Sequence, residues 1–102
     1  MVSILVALAV ATLTFSPTVG FAPLTVHGIV RIPRVSTNRA ACITLDGPDY
    51  FAESCWELFG VGSPTVFDHE WRDLPAGDYR GWVSVERNGR IYESAKAVLL
   101  IR

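Results

Sequence analysis

Residues 71–83 of the chain read WRDLPAGDYRGWV. A break at Pro75 and Gly77 separates two stretches in which apolar and polar residues alternate, Thr65–Arg72 before it and Tyr79–Arg87 after it. Strict alternation is the pattern of a β-strand, because successive side chains point to opposite faces of a sheet. The segment therefore predicts two strands joined by a short loop.

The same alternation recurs through the rest of the chain. Between Leu24 and Arg102 no run keeps the helical period of 3.6 for more than two turns, and Gly, Pro, Asn and Asp separate short extended segments. Since no linker, repeat or low-complexity tract interrupts them, we predict one all-β domain over residues 23–102. Its further strands are expected at Leu24–Ile32, Ala40–Leu45 and Arg90–Ile101.

Cys42 and Cys55 are the two cysteines of the chain. The turn residues 46–49, Asp-Gly-Pro-Asp, lie between them, and a reversal centred there sets the cysteines directly opposite each other. The same register puts the apolar residues Ala41 and Leu45 on the other face of the hairpin. Because two features agree on one register, we predict a disulfide, as expected for an even cysteine count in an exported chain. The alternative is two free thiols in a cytosolic protein.

The dipeptide Asn88-Gly89 is the strongest two-residue hairpin signal in the chain. It sets Val85 opposite Tyr92. Continued without a break, this register would put Lys96 on the core face and the apolar residues around it in water. One extra residue near Ser94–Lys96 removes both conflicts, so we predict a β-bulge there.

The first 22 residues carry no charged side chain and contain an apolar run from Ile4 to Phe15. Pro17 and small residues follow it, which is the layout of a signal peptide cleaved after Gly20 or Ala22. We therefore predict that residues 1–22 form a hydrophobic signal helix that is removed on export. The alternative is a retained membrane anchor. A role as the first strand of the fold is disfavoured because we find no alternation there.

The segment from Leu74 to Val83 has the form LPAGxYxxxV. It resembles a segment of bacterial immunoglobulin-like, fibronectin type III-like and carboxypeptidase-regulatory-like domains. With ACITLDG at residues 41–47, the resemblance covers Val30–Arg102. The chain also resembles small exported bacterial proteins of unknown function. It implies a single antiparallel immunoglobulin-like β-sandwich of about seven strands. It also implies that Leu74 fills the core and that Tyr79 forms a corner, its hydroxyl bonded to upstream backbone. The sequence-local cysteines depart from the antibody pattern.

Charge and cysteine usage narrow the partners and the compartment. With 9 basic and 10 acidic residues the net charge is -1, so we expect no nucleic-acid partner. Membrane contact is expected only if residues 1–22 are retained. A leader together with a disulfide predicts a secreted, periplasmic or cell-envelope protein.

The triplet Asp68-His69-Glu70 is the strongest candidate for acid–base or metal chemistry. On a strand, however, neighbouring side chains point to opposite faces, so His69 cannot share a site with both carboxylates. Between Phe67 and Trp71, His69 is better interpreted as a histidine at the edge of the core. His27 is remote in sequence. We therefore predict no catalytic residue, no metal site and no cofactor.

Trp82 is the strongest candidate for binding. If the apolar residues of Tyr79–Arg87 face the core, Trp82 faces solvent with Arg80 and Ser84 on the same side. A tryptophan beside an arginine is typical of contact hot spots for proteins, or of stacking on sugar rings. The alternative is that Trp82 packs over Ala95 or over the disulfide side of the neighbouring sheet.

These observations predict a non-catalytic exported module that binds an unidentified protein or glycan, or that self-assembles in the cell envelope, through an outer sheet face. Two alternatives stay open. One is a filament or envelope subunit that docks by edge-strand pairing, with Leu24–Ile32 as the donor strand. The other is a small enzyme or metal-binding protein that uses His69 with Asp68 and Glu70.

Overall fold

Residues 10–102 are described by a computed structural model, and they form an all-β structure, as the sequence predicts. Within these residues there are nine strands and one 3-10 turn, Gly60–Gly62. The count exceeds the expected seven because two strands precede residue 23 and the last predicted strand is divided in two. The strands are β1 (Thr12–Ser16), β2 (Val19–Gly20), β3 (Leu24–Arg31), β4 (Asn38–Asp46), β5 (Phe51–Glu57), β6 (Val66–Leu74), β7 (Gly77–Arg87), β8 (Arg90–Glu93) and β9 (Ala97–Ile101).

The strands form two sheets. The three-stranded sheet has the order β1-β3-β6, and the six-stranded sheet has the order β2-β9-β7-β4-β5 with β8 paired to β7. Every pairing is antiparallel except that of β2 with β9. The chain passes between the sheets after β1, β2, β3, β5 and β6, so neither sheet is built from one continuous part of the sequence.

The core lies between the inner faces of the two sheets. Glycines allow the closest approaches: a Cβ on Gly28 would lie 2.8 Å from the Trp71 ring and 3.2 Å from Ile43 Cδ1, and one on Gly81 would lie 2.6 Å from Phe15 Cζ. Trp71 and Phe15 therefore fill space that a larger residue would occupy. The buried apolar residues are Val10, Ala11, Leu13, Phe15, Val26, Val30, Ile32, Ala41, Ile43, Leu45, Leu58, Trp71, Leu74, Tyr79, Val83, Val85, Leu99 and Ile101.

The N-terminal segment departs most from the sequence prediction. Residues 10–22 contain no helix; β1 pairs with β3, and β2 pairs with β9. The expected signal helix is therefore wrong there, and residues 1–9 lie outside the described part. The segment does alternate, since Leu13 and Phe15 are buried between exposed polar residues. The alternation is not evident from the sequence because the polar positions Thr12 and Thr14 stand within an otherwise apolar run.

Cleavage after Gly20 or Ala22 stays a prediction. In the part of the chain that the structure describes, no helix is long and apolar enough to cross a membrane.

Strand β3 is the central strand of its sheet, with β1 on one side and β6 on the other. In the described structure Leu24–Ile32 is therefore not a free edge strand, because Thr12–Ser16 covers it. Docking through this strand stays a prediction, since removal of residues 1–22 would uncover the same edge.

The hairpin β4–β5 has the predicted register. Cys42 lies opposite Cys55 and Leu45 opposite Ala52, with the apolar partners facing the core. The disulfide between Cys42 and Cys55 is confirmed, with the two Cα atoms 4.0 Å apart. It covalently ties an edge strand to the middle of the six-stranded sheet.

The hairpin after β7 also has the predicted register, with Val85 opposite Tyr92. Further along, Gly81 pairs with Ala97, so three residues, 94–96, stand against two on β7. This is the predicted irregularity. Ser94 holds it, because its amide donates to the Val83 carbonyl at 2.8 Å while its hydroxyl accepts from the Val83 amide at 2.9 Å.

Leu74 and Tyr79 lie where the chain passes from β6 in one sheet to β7 in the other. Leu74 is fully buried, and the Tyr79 hydroxyl donates to the carbonyl of Pro75 at 2.6 Å. Burial raises the pKa of the Tyr79 phenol, and the nearby carboxylate of Asp49 adds to the rise. The arrangement is that of a tyrosine corner.

Candidate functional site

The outer face of the six-stranded sheet carries all three residues that the sequence singles out for binding. Trp82, Arg80 and Ser84 lie on this face because their neighbours on β7 point into the core. Trp82 lies opposite Thr44 of β4, and Arg80 lies opposite Asp46. The three residues therefore share one surface with the outward side chains of β4, β5 and β9.

Trp82 is half-buried on this face. The side chain of Lys96 extends over the indole ring, with Nζ 5.3 Å from the ring centroid. Beside the ring, Thr44 is only 2% exposed, and its hydroxyl donates to the Glu53 carboxylate at 3.2 Å. Since an ammonium group is attracted to the face of an indole, Lys96 covers the surface on which a flat ligand would stack.

Apolar side chains stand at both margins of the same face. Val98 of β9 lies opposite Arg80 and is 56% exposed, and Phe51 of β5 lies opposite Asp46 and is 65% exposed. The four residues form one row across the sheet, in the order Val98, Arg80, Asp46, Phe51. Val19 of β2 is also exposed at this margin. Several apolar groups on one flat face mark a contact surface more strongly than isolated ones do.

The two charges of this row, Arg80 and Asp46, do not pair with each other. In residues 10–102 neither Arg80 nor Asp46 forms an ion pair, although the two residues lie on adjacent strands. At the rim, Arg102 does pair with Asp78, at 2.7 Å. A hollow of about 680 Å³ at this end of the face is lined by Asp46, Gly47, Pro48, Gly77, Asp78 and Arg80.

A second group of ionisable residues lies on the outer face of the three-stranded sheet. Nδ1 of His27 on β3 is 2.9 Å from Oδ1 of Asp68 on β6, a hydrogen bond in which the ring N–H donates. Nε2 of the same ring is 3.9 Å from the Glu70 carboxylate, and Glu70 also accepts from Arg72. The hydrogen bond to Asp68 raises the pKa of His27, and the charges of Asp68 and Glu70 add to the rise.

His69 does not join this group. It faces the inner side of β6, where its ring packs edge-on against Trp71 with centroids 4.9 Å apart. The sequence hypothesis of a site made by His69, Asp68 and Glu70 therefore has the wrong histidine, because His27 lies beside the two carboxylates instead. The signal that could have found it is strand parity, since His27 lies directly opposite Glu70.

Among residues 10–102, one group of three potential metal-ligand side chains lies close together: Cys42, Glu53 and Cys55. Both sulfurs of this group are bonded to each other in the disulfide. A disulfide sulfur carries no thiolate charge, and thiolate is the form of cysteine that binds metal ions. The group is therefore not a metal site while the disulfide is intact.

The chain matches no protein-family model, no curated protein and no solved structure.

Proposed function

We propose that this domain is a non-catalytic, exported immunoglobulin-like module that binds a partner protein through the outer face of its six-stranded sheet. The disulfide supports export, because such bonds persist in oxidising compartments. The strand orders β1-β3-β6 and β9-β7-β4-β5, with a tyrosine corner between β6 and β7, support the immunoglobulin-like assignment.

The observation that carries the binding function is the row Val98, Arg80, Asp46, Phe51. Its two ends are exposed apolar side chains, and its two central residues are charges without an ion-pair partner among residues 10–102. Apolar anchors combined with arginine are typical of protein contact surfaces. A partner that buries Val98 and Phe51 and also forms ion pairs with the two central charges would be stabilised by both kinds of contact.

A protein partner fits this face better than a glycan does. Sugar rings would need an open aromatic face, but Lys96 lies over the ring of Trp82. The exposed groups that remain are aliphatic, charged, or an aromatic at the margin, Phe51. This composition resembles the mixed surface of a transient protein interface.

Site-specific photo-cross-linking tests the proposal. A photoreactive residue is placed at Val98 or at Phe51, and as a matched control at Thr25, which is exposed on the outer face of the other sheet and lies beyond the predicted cleavage sites. We expect discrete adducts of defined mass from Val98 and Phe51 in the exported fraction of producing cells, and none from Thr25. Equal labelling at all three positions, or no adduct from the first two, would refute the proposal.

A further inference from the structure

We infer that the partner is a second copy of this chain, packed face to face about a two-fold axis that runs along the strands between β4 and β7. The inference rests on the proposed function, because it names the occupant of the same face. It is carried by the way residues are ordered across the sheet.

A two-fold axis of this kind exchanges the two halves of the face. When identical surfaces pack about an axis that lies in the interface and parallels the strands, each half of one copy covers the opposite half of the other. Strand β7 of one copy then lies over β4 of the second, and β9 lies over β5. Residues that share a row in one chain become contacts between the two chains.

The central contacts are complementary. Arg80 and Asp46 are direct neighbours in one row, on either side of the axis. In the dimer, Arg80 of each copy faces Asp46 of the other, so the interface contains this pair twice. Charges that have no ion-pair partner within residues 10–102 are thereby compensated.

The marginal contacts are complementary in the same way. Val98 and Phe51 end the row of Arg80, so the exposed valine of one copy meets the exposed phenylalanine of the other. Lys96 and Glu53 flank the row of Trp82, Lys96 lying over the indole and Glu53 accepting from Thr44. The axis therefore places a lysine opposite a glutamate and an apolar group opposite an apolar group.

The other in-plane orientation lacks this match. An axis perpendicular to the strands at the level of Trp82 would place Lys96 against Lys96 and Glu53 against Glu53. It would also bring Val98 towards the row of Glu93, which pairs with Ser84 two residues along β7. Like charges that face each other cost several-fold to many-fold in affinity. The order of residues therefore favours the axis parallel to the strands over this perpendicular one.

Charge reversal tests the inference, because the expected pairs cross between copies. Arg80→Asp alone sets two acidic residues against each other at each central contact, and Asp46→Arg alone sets two basic residues there. We expect each variant to associate at least about 100-fold more weakly than the wild type. In an equimolar mixture of the two variants, the introduced aspartate of one faces the introduced arginine of the other. The native Asp46 of the first variant then faces the native Arg80 of the second, so both contacts are restored.

Sedimentation velocity over about 1 µM to about 1 mM measures the outcome. We expect a wild-type dimer, two monomeric variants, and a dimer on mixing them. Arg31→Asp makes the same charge change on the outer face of the other sheet and should leave the dimer unchanged. Circular dichroism checks that every variant is folded, as expected for substitutions at exposed positions.

A monomeric wild type, or variants whose mixture stays monomeric, would overturn the inference. If the cross-link from Val98 or Phe51 then has a mass other than twice that of the chain, the face binds a different protein and the proposed function stands. If neither position gives an adduct, the proposed function fails as well.

Discussion

The two outer faces of the molecule differ in how their charges are satisfied. On the three-stranded sheet, His27 pairs with Asp68, and Glu70 pairs with Arg72. On the six-stranded sheet, the central Arg80 has no such partner among the described residues.

Both faces are rich in exposed polar groups, so exposure alone does not distinguish them. Within residues 10–102, the three-stranded face also has one unpaired charge, Arg31, opposite the exposed Val66. What distinguishes the six-stranded face is that two unpaired charges of opposite sign, Arg80 and Asp46, lie side by side between two exposed apolar groups.

The two sheets also differ in what holds their strands in place. The disulfide ties β5 to β4 within the six-stranded sheet. The three-stranded sheet has no such bond among its described residues and relies on β1, whose inward side chains reach the opposite sheet. One face is therefore secured covalently and the other by packing of the N-terminal segment.

The largest effect is expected at Phe15. Its ring is buried over Gly81 and lies 5.9 Å from Trp71 between ring centroids. Phe15→Ala leaves a cavity between the sheets, and we expect it to lower the free energy of unfolding by about 3–5 kcal/mol. Urea denaturation of the full chain measures this loss.

Thr14→Ala is the matched control, since Thr14 is exposed on the same strand. We expect it to change the unfolding free energy by less than about 0.5 kcal/mol. The exported protein gives a result that could contradict the prediction. If residues 1–22 are removed on export and the remaining chain is as stable as the full chain, β1 is not part of the fold of the exported protein.

The second-largest effect on stability is expected from loss of the disulfide. Replacing both cysteines, Cys42→Ala with Cys55→Ala, releases a loop closed across 13 positions. We expect a loss of about 3 kcal/mol, because the unfolded chain regains the conformations that the bond denied it. The measurement is urea denaturation of the wild type and the variant, each with and without reductant. Equal midpoints in oxidised wild type and variant would contradict the prediction.

The registers of the two hairpins could be predicted from the sequence because two separate features determine each of them. In β4–β5 the turn at residues 46–49 and the apolar alternation demand the same register, and Cys42 falls opposite Cys55. After Asn88-Gly89, the hairpin register conflicts with the later apolar pattern, and one extra residue near Ser94 resolves the conflict. A hairpin register is set by the turn and the residues next to it, so it can be predicted from the local sequence.

Non-local pairings could not be read in this way. His27 and Asp68 are 41 residues apart, with β4 and β5 between them, and no turn sets the register of β3 against β6. The N-terminal strand was missed for a different reason. An alternating strand whose polar positions are Thr12 and Thr14 resembles an apolar run, and that composition is shared with a signal peptide.

The smallest effect is on the titration of His27, and it tests whether the charges of the three-stranded sheet are paired in solution. The hydrogen bond to Asp68 raises the pKa of His27 above its ordinary value of about 6.5. A raised pKa in the folded state means that the contact contributes its full stability below about pH 6.5. The contribution is then lost as the pH rises through the folded-state pKa. The loss should be small, because the pair is open to solvent.

Proton NMR titration of His27 in the wild type and in Asp68→Asn measures this contact. Since the amide carries no charge and weakens the bond to imidazolium, we expect the pKa of His27 to fall towards about 6.5 in the variant. Glu53→Gln removes a carboxylate from the other sheet and should leave His27 unchanged. If His27 titrates at the same pH in Asp68→Asn as in the wild type, its charge is free in solution. The three-stranded face would then carry further unpaired charge beside that of Arg31, and the preference for the six-stranded sheet as the contact surface would rest on the order of residues in its row alone.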